Sequence, residues 1–400
     1  MIEVKSLPQL RFPEFSECWK YIKLGEVAHF SKGKNVSKDE VTEDGLNECI
    51  RYGELYTTYN ETISEVFSKT NLSLDESVVS QANDVIIPAS GETQLDIATA
   101  SCVLREGIIL GGDLNIIRTA NSGVFLSYYL NNKGRYDIAR LSQGSSVVHL
   151  YSKQLSRLKI NFPALPEQQK IASFLTAVDD KITQLTKKKA LLEQYKKGVM
   201  QRIFSQEIKF RDDEGGDYPE WEKKELKSVA SFFSGGTPSS SNRSYYSGSI
   251  PFIGSGNISN TEVNQFITEE ALRNSSAKMV KVGDLLYALY GATSGEVSVS
   301  KINGAINQAI LCIRTHHNIE FLYQFLSTQK AKIISKYLQG GQGNLSAKII
   351  KDLKISFPSI EEQTKIANFL SAIDHKITLV DSQIEKTTAF KKGLLQQMFV

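Results

Sequence analysis

Two polar loops carry the side chains best suited to chemistry in this 400-residue chain. Ser31-Lys32-Gly33-Lys34-Asn35 sets two cations and an amide around a glycine. Thr237-Pro238-Ser239-Ser240-Ser241-Asn242-Arg243-Ser244-Tyr245-Tyr246 adds hydroxyls, another amide, a guanidinium and two aromatic rings. Lys and Arg neutralise phosphates, whereas Asn and Gln pair with adenine edges and Arg with guanine edges. Gln143-Gly144-Ser145-Ser146 and Gln339-Gly340-Gly341-Gln342-Gly343-Asn344 are pliable polar loops of similar make-up. The chemistry is recognition through charge and hydrogen bonds. On residue type, the DNA-binding candidates are Lys32, Lys34, Asn35, Ser145, Thr237, Ser239, Asn242, Arg243, Tyr245, Gln342 and Asn344. Ordinary solvated loops share this composition, so each residue taken singly also has that plainer reading. The run Lys187-Lys188-Lys189 reads first as a solvated helix face.

What is missing narrows the field. No GxxxxGK[ST], GxSxG or HExxH occurs, and Gly254-Ser255-Gly256 is a lone GxG. The (N/D)PP(Y/F) run that a base methyltransferase sets beside a flipped base is absent. Asp217 with Glu222-Lys223-Lys224 only loosely echoes a nuclease acidic site, and residues 291–295 (GATSG) read first as a strand-end turn, with an anion nest as the alternative. Cys18, Cys49, Cys102 and Cys312 form no CxxC pair, and adjacent His316 and His317 cannot share one helix face, so no metal set is expected. Sparse thiols suit a reducing cytoplasm. No apolar run reaches the length of a membrane span, and the charged N-terminus does not read as a signal peptide. A net charge of +3 permits nucleic-acid binding without demanding it.

The elements that must position the loops are two rods. Residues 165–204 (LPEQQKIASFLTAVDDKITQLTKKKALLEQYKKGVMQRIF) and residues 360–399 (IEEQTKIANFLSAIDHKITLVDSQIEKTTAFKKGLLQQMF) align without a gap at an offset of 195, with 17 identities in 40 positions. Such a match marks a duplicated unit. Ile171, Leu175, Val178, Ile182, Leu185, Leu192, Val199 and Ile203 fall on alternating steps of three and four, broken at Lys189 and Lys196. Ile366, Leu370, Ile373, Ile377, Val380, Ile384, Leu394 and Met398 do the same, broken at Thr387 and Lys391. This is the seam of a coiled coil. Pro166 and Glu167 suit a helix start, and Ser359 with Glu362 has capping-box spacing. Forty helical residues span roughly 60 Å. The polar breaks predict that the far ends pair less tightly or meet another protein.

A mixed globular region precedes each rod. Val85-Ile86-Ile87, Ile108-Ile109-Leu110 and Ile116-Ile117 predict buried strands, and LKINFP (158–163) predicts a last strand feeding the first rod. Trp221, Leu226, Val229 and Phe232 echo Trp19, Leu24, Val27 and Phe30, and LKISFP (353–358) echoes LKINFP, while Gly235-Gly236-Thr237-Pro238-Ser239 finds no clear counterpart in the first half. The predicted fold is α+β: a domain over 1–163, a long helix within 164–207, a second domain over 208–358 and a distal long helix within 359–400. Two seam-bearing rods in one chain can bury each other's apolar faces by lying antiparallel, which gives pseudo-twofold symmetry. Ile171, Leu175, Val178, Ile182 and Leu185 on one rod, and Ile366, Leu370, Ile373, Ile377 and Val380 on the other, are the candidate coiled-coil and subunit-interface positions. Two dissimilar heads on a rigid spacer suit two DNA half-sites at a fixed separation. A coiled-coil scaffold without DNA affinity and a methyltransferase with a self-contained site are the readings from other classes.

The chain resembles the specificity subunits of type I restriction-modification systems over essentially its whole length. The resemblance is carried by the helix openings Leu165-Pro166-Glu167-Gln168-Gln169-Lys170-Ile171-Ala172 and Ile360-Glu361-Glu362-Gln363-Thr364-Lys365-Ile366-Ala367, by LKINFP and LKISFP before them, and by Ser234-Gly235-Gly236-Thr237-Pro238 with Ile250-Pro251-Phe252. It implies two target recognition domains, each reading one half of a bipartite, asymmetric site in double-stranded DNA. It further implies an antiparallel coiled coil that sets the gap and docks two modification (methyltransferase) subunits. Those partners would carry S-adenosylmethionine for N6-adenine methylation, and two restriction (translocase and nuclease) subunits would use ATP and Mg²⁺. This chain itself would hold no cofactor and perform no catalysis. The missing Gly-Gly-Thr-Pro of the first half fits a recognition domain of a different subtype.

Overall fold

A computed structural model describes residues 7–144, 147–337 and 344–400. They form two compact units, residues 1–186 with 382–400, and residues 187–381. Each unit therefore combines a globular region with one end of both long helices.

In the first unit, the strand Asp84–Pro88 is buried along its whole length. It lies inside a five-stranded sheet ordered Ala28–Lys32, Leu114–Thr119, Asp84–Pro88, Ser101–Val103, Thr62–Ile63. Side chains alternate across a strand, so Val85 and Ile87 face the core shared with helix Gly123–Asn131, while Ile86 faces a second core around Ile50, Leu55 and Ile63. Covering both faces is what such a continuous apolar run requires. In the second unit, Ala230–Ser234, Ile310–Thr315, Leu285–Ala288 and Val297–Val299 form the matching sheet. Leu285 and Tyr287 face the core of helix Ile319–Tyr337, and Leu286 and Ala288 face the other side. A further four-stranded sheet joins Phe266–Ile267, Ile250–Ile253, Gly304–Ile306 and Lys278–Val280.

The two sheets share a framework finer than the sequence echo. Phe30 pairs with Ile117 as Phe232 pairs with Ile313. Thr119 Oγ1 donates to the Val27 carbonyl at 2.7 Å, and Thr315 Oγ1 to that of Val229 at 2.6 Å. Arg118 makes a two-pronged contact with Asp84 (2.8 and 2.7 Å), and Arg314 repeats it on Asp284 (2.8 and 2.6 Å). Burial alone would raise the Asp284 carboxyl; the Arg314 guanidinium and the Lys281 N–H outweigh it and hold the group below its ordinary value.

This framework also supplies the counterpart that Gly235 lacked in the sequence. Gly33 follows the strand Ala28–Lys32 as Gly235 follows Ala230–Ser234. A Cβ on Gly33 would lie 1.9 Å from the Gly111 carbonyl oxygen, and one on Gly235 1.7 Å from that of Ile306. Both sites exclude a side chain because another backbone strand crosses there. Steric need is shared while the surrounding letters are not.

Each globular region closes with a two-stranded ribbon that feeds a long helix. Lys20–Lys23 pairs with Lys159–Phe162, and Glu222–Glu225 with Lys354–Phe357. The helices run Leu165–Phe204 and Ile360–Met398. In the first unit, Ile171, Leu175 and Val178 share a core with Leu394, Met398 and Phe399, and Ile182 packs against it. In the second, Val199, Met200 and Ile203 share a core with Ile366, Leu370 and Ile373, and Ile377 packs against it. Leu185 and Val380 are also buried. The opening of one helix thus lies beside the closing turns of the other, an antiparallel arrangement found in both units.

The seam breaks are satisfied within the protein, contrary to the expectation of looser far ends. Lys196 Nζ reaches Asp374 at 2.7 Å and Lys189 Nζ reaches Asp381 at 2.5 Å. Lys391 Nζ lies 2.8 Å from Asp179 and 3.0 Å from Glu61, and Asp179 also accepts from Tyr128 Oη at 2.5 Å. Asp179 and Asp374, like Lys196 and Lys391, are 195 positions apart, so this is one duplicated cross-helix pair. Burial opposes the Lys391 charge, but Glu61 and Asp179 together outweigh it and hold the ammonium above its ordinary value. A polar pair at a seam position fixes register where apolar residues would allow sliding. Thr387 turns its hydroxyl to the Gln383 carbonyl of its own helix. Among the described residues, no helix is long and apolar enough to cross a membrane.

Candidate nucleic-acid interface

Several of the residues singled out from the loops follow the edge strand of a sheet: Lys34 and Asn35 come after Ala28–Lys32, and Thr237 and Ser239 after Ala230–Ser234. In the first unit, the chain leaves Ala28–Lys32 and is tied at once to the loop before Leu114–Thr119. Gly33 N–H donates to the Leu114 carbonyl and Lys34 N–H to that of Leu110, both at 3.0 Å, and Gly112 N–H donates to the Asn35 carbonyl at 2.6 Å. Asn35 and Val36 both take left-handed backbone, φ 59° and 63°. Asn tolerates that region and Val does not; the Val36 side chain is buried, which holds the turn in place. The result is a braced loop with Lys32, Lys34 and Asn35 exposed. Lys34 Nζ donates to the Glu76 carbonyl at 3.0 Å. Lys32 Nζ sits 5.6 Å from the centre of the Tyr151 ring. Leu150 N–H donates to the Ala89 carbonyl at 2.9 Å, which brings the segment before Tyr151 beside the end of Asp84–Pro88. Ser145 lies outside the described residues.

In the second unit the chain leaving Ala230–Ser234 is tied to the segment before Ile310–Thr315, with Gly235 N–H donating to the Asn307 carbonyl at 3.2 Å. Thr237 Oγ1 donates to Gln308 Oε1 at 2.7 Å. Leu289 N–H donates to the Ala309 carbonyl and Leu345 N–H to that of Leu289, both at 2.8 Å, so exposed Asn344 arrives next to the end of Leu285–Ala288. Ser239 shares a hydrogen bond with Ser241 at 2.7 Å. Asn242 Oδ1 accepts from the Ser244 N–H and hydroxyl (3.2 and 2.6 Å) and so caps a short turn. Tyr245 is half-buried in a small cluster with Phe252, Ile267 and Ala271, and its Oη accepts from Asn274 at 3.2 Å. These two brace the loop, while Arg243 is exposed and makes no hydrogen bond or ion pair among the described residues. Gln342 lies outside the described residues. Tyr151 and Gln308 join the two edges without having been singled out in the sequence. No local pattern marks them, because each meets its partner only across the sheet.

Each edge is carried on a long helix by a duplicated latch. Glu167 is 2% exposed and accepts from Arg11 Nε and Nη2, both at 2.7 Å, and from the Trp19 indole at 3.2 Å. Gln168 accepts from the Ser122 N–H at 3.1 Å and donates to Asn121 and to the Pro163 carbonyl at 3.0 and 2.9 Å. In the second unit Glu362 accepts from the Trp221 indole at 3.0 Å, and Gln363 accepts from the Asn318 N–H at 3.0 Å and donates to the Pro358 carbonyl at 2.9 Å. Only half of the expected capping box forms: the Glu362 N–H reaches Ser359 Oγ at 3.3 Å, but its carboxylate turns to Trp221. The Glu-Gln pair at each helix opening therefore fastens helix to globule.

Cys18 is exposed, whereas Cys49, Cys102 and Cys312 are buried. Burial pushes the Cys49 thiol up to about 11 and those of Cys102 and Cys312 to about 12, far from a reactive thiolate. Among the described residues, no three His, Cys, Asp or Glu side chains gather as a metal site would require.

The type I restriction modification DNA specificity domain matches this chain twice, over residues 16–194 and 218–388. The chain belongs to that family of specificity subunits. Its members are non-catalytic DNA-recognition components. The type I restriction enzyme MjaVIII specificity subunit of Methanocaldococcus jannaschii is 26% identical to this subunit, over 98% of this chain and 93% of the relative. The crystal structure of a type I restriction-modification system S subunit from M. genitalium has the same fold, with a TM-score of 0.66, 16% identity and 99% of both chains covered. A second solved structure, described as bearing on complex assembly and conformational transition of the type I R-M system, aligns with a TM-score of 0.57 and 18% identity, over 95% of this chain and 96% of its own.

Proposed function

We propose that this specificity subunit reads a bipartite, asymmetric site in double-stranded DNA, one half with each globular domain, and docks two modification subunits along its long helices. The observation that carries the reading is the duplicated sheet framework: a glycine crossed by another stretch of backbone follows the edge strand of each sheet, and the side chains after it are Lys34 and Asn35 in one copy and Thr237 and Ser239 in the other. A shared framework with dissimilar contact residues is what two different half-sites demand. The domains are proposed to span 1–163 and 208–358, with the helical spacers over 164–207 and 359–400. The relative described in terms of complex assembly supports the docking role. The modification subunits would supply S-adenosylmethionine chemistry at adenine N6, and two restriction subunits would use ATP and Mg²⁺, all in the cytoplasm.

Mapping methylated adenines across the genome of cells with and without this chain tests the reading. One two-part asymmetric motif should appear only when the chain is present. An unchanged map in cells that contain the modification subunit would refute it. At the level of side chains, Lys32→Ala and Arg243→Ala should each weaken binding to the cognate duplex, and each should lower the slope of log affinity against log salt by about one. Salt titrations of wild type and variants that superimpose would remove those residues from the footprint.

A further inference from the structure

The duplicated latch is not equally filled. In the first unit, Arg11 occupies the space over Glu167. In the second, Lys209 stands in the equivalent place, since Phe12 stacks edge-on against Phe174 as Phe210 does against Phe369. Lys209 is exposed and forms no ion pair among the described residues. What remains over Glu362 is a cavity of about 270 Å³. Glu362 is 4% exposed, its Oε2 accepts from the Trp221 indole, and its Oε1 has no hydrogen-bond partner among the described residues. Phe210, Tyr218 and Trp221 supply aromatic walls, and Lys209, Asp217 and Glu220 stand on the lining, with Lys209 making no ion pair to Glu362 among the described residues.

We propose that this cavity binds a guanidinium group from outside the chain, in the place that Arg11 fills in the other half. The planar fork of a guanidinium matches a carboxylate in two-pronged fashion and stacks on aromatic faces, which an ammonium does not. Arg11 shows the geometry this framework already accepts, two contacts of 2.7 Å to one buried carboxylate. Burial holds the Glu362 carboxyl above its ordinary value, with the Trp221 N–H and the Lys209 charge working against that shift. A desolvated carboxylate that no cation touches in an ion pair has the most to gain from one. The group could belong to a free small molecule or to an arginine side chain of another protein, and the inference stands independently of the DNA reading.

The chain has two tryptophans, so ¹⁵N-indole labelling of the intact protein gives two indole N–H resonances. Titration with N-acetyl-arginine amide should shift the Trp221 signal saturably and leave that of Trp19 in place. Glu362→Gln should weaken the response by about tenfold, as expected for loss of a charge-assisted pair. Lys209→Arg, which fills the space as Arg11 does, should weaken it similarly and guards against a folding defect in the first variant. N-acetyl-lysine amide should bind less tightly. A short arginine-containing peptide that binds tighter than the amide identifies a protein source, and one that binds more weakly identifies a small molecule. No saturable shift in wild type, an unchanged affinity in both variants, or equal affinity for the lysine amide overturns the proposal.

Discussion

Replacing Glu167 by alanine should destabilise the first unit by about 3–5 kcal/mol, the cost of breaking a buried ion pair by removing one partner. The side chain is 2% exposed, and its removal strands a guanidinium that is itself only 12% exposed. The Trp19 indole also loses its acceptor. Glu362→Ala removes a single N–H partner and breaks no ion pair, so it should cost about 1–3 kcal/mol. Substituting Arg11 and Glu167 together by Met and Leu should recover most of the loss, because a well-packed apolar pair often replaces a buried ion pair at no cost. Hydrogen exchange resolved along the intact chain, followed through a urea series, measures the two units separately. Equal destabilisation by the two alanine variants would show that Arg11 contributes nothing to the latch.

Exchanging residues 1–163 for the corresponding domain of another specificity subunit should rewrite one half of the methylated motif and leave the other half and the spacing unchanged. The effect is all-or-none at the altered positions, since each mismatched base pair costs about 1–3 kcal/mol and a half-site contains several. The latch states what the donor domain must bring. It needs a guanidinium and an indole over Glu167, a backbone N–H where Ser122 presents one to Gln168, and a hydroxyl where Tyr128 meets Asp179. A donor without them should fail through loss of folding, visible as lost exchange protection in the helix opening. If both halves of the motif changed after a well-folded exchange, the two domains would not read DNA separately.

Much of this protein was legible in its letters. The offset of 195 with its seam of threes and fours fixes two rods in any aqueous fold, because periodicity is a local property and a helix obeys it wherever it lies. The buried strands around Val85-Ile86-Ile87 and Ile116-Ile117 follow from unbroken β-branched runs in the same way. The helix openings identified the family because their residues do one fixed job. What only the tertiary structure decided is what those residues touch. Trp19 meets Glu167 across 148 positions, and Lys196 meets Asp374 across 178. Hydrogen bonds of that span depend on how sheets and helices pack, and no local pattern encodes it. The same reason hid the kinship of Gly33 and Gly235, which share a crossing backbone and not a motif. It also hid the inequality of the two latches: Arg11 and Lys209 look interchangeable in sequence, but only one closes over its carboxylate.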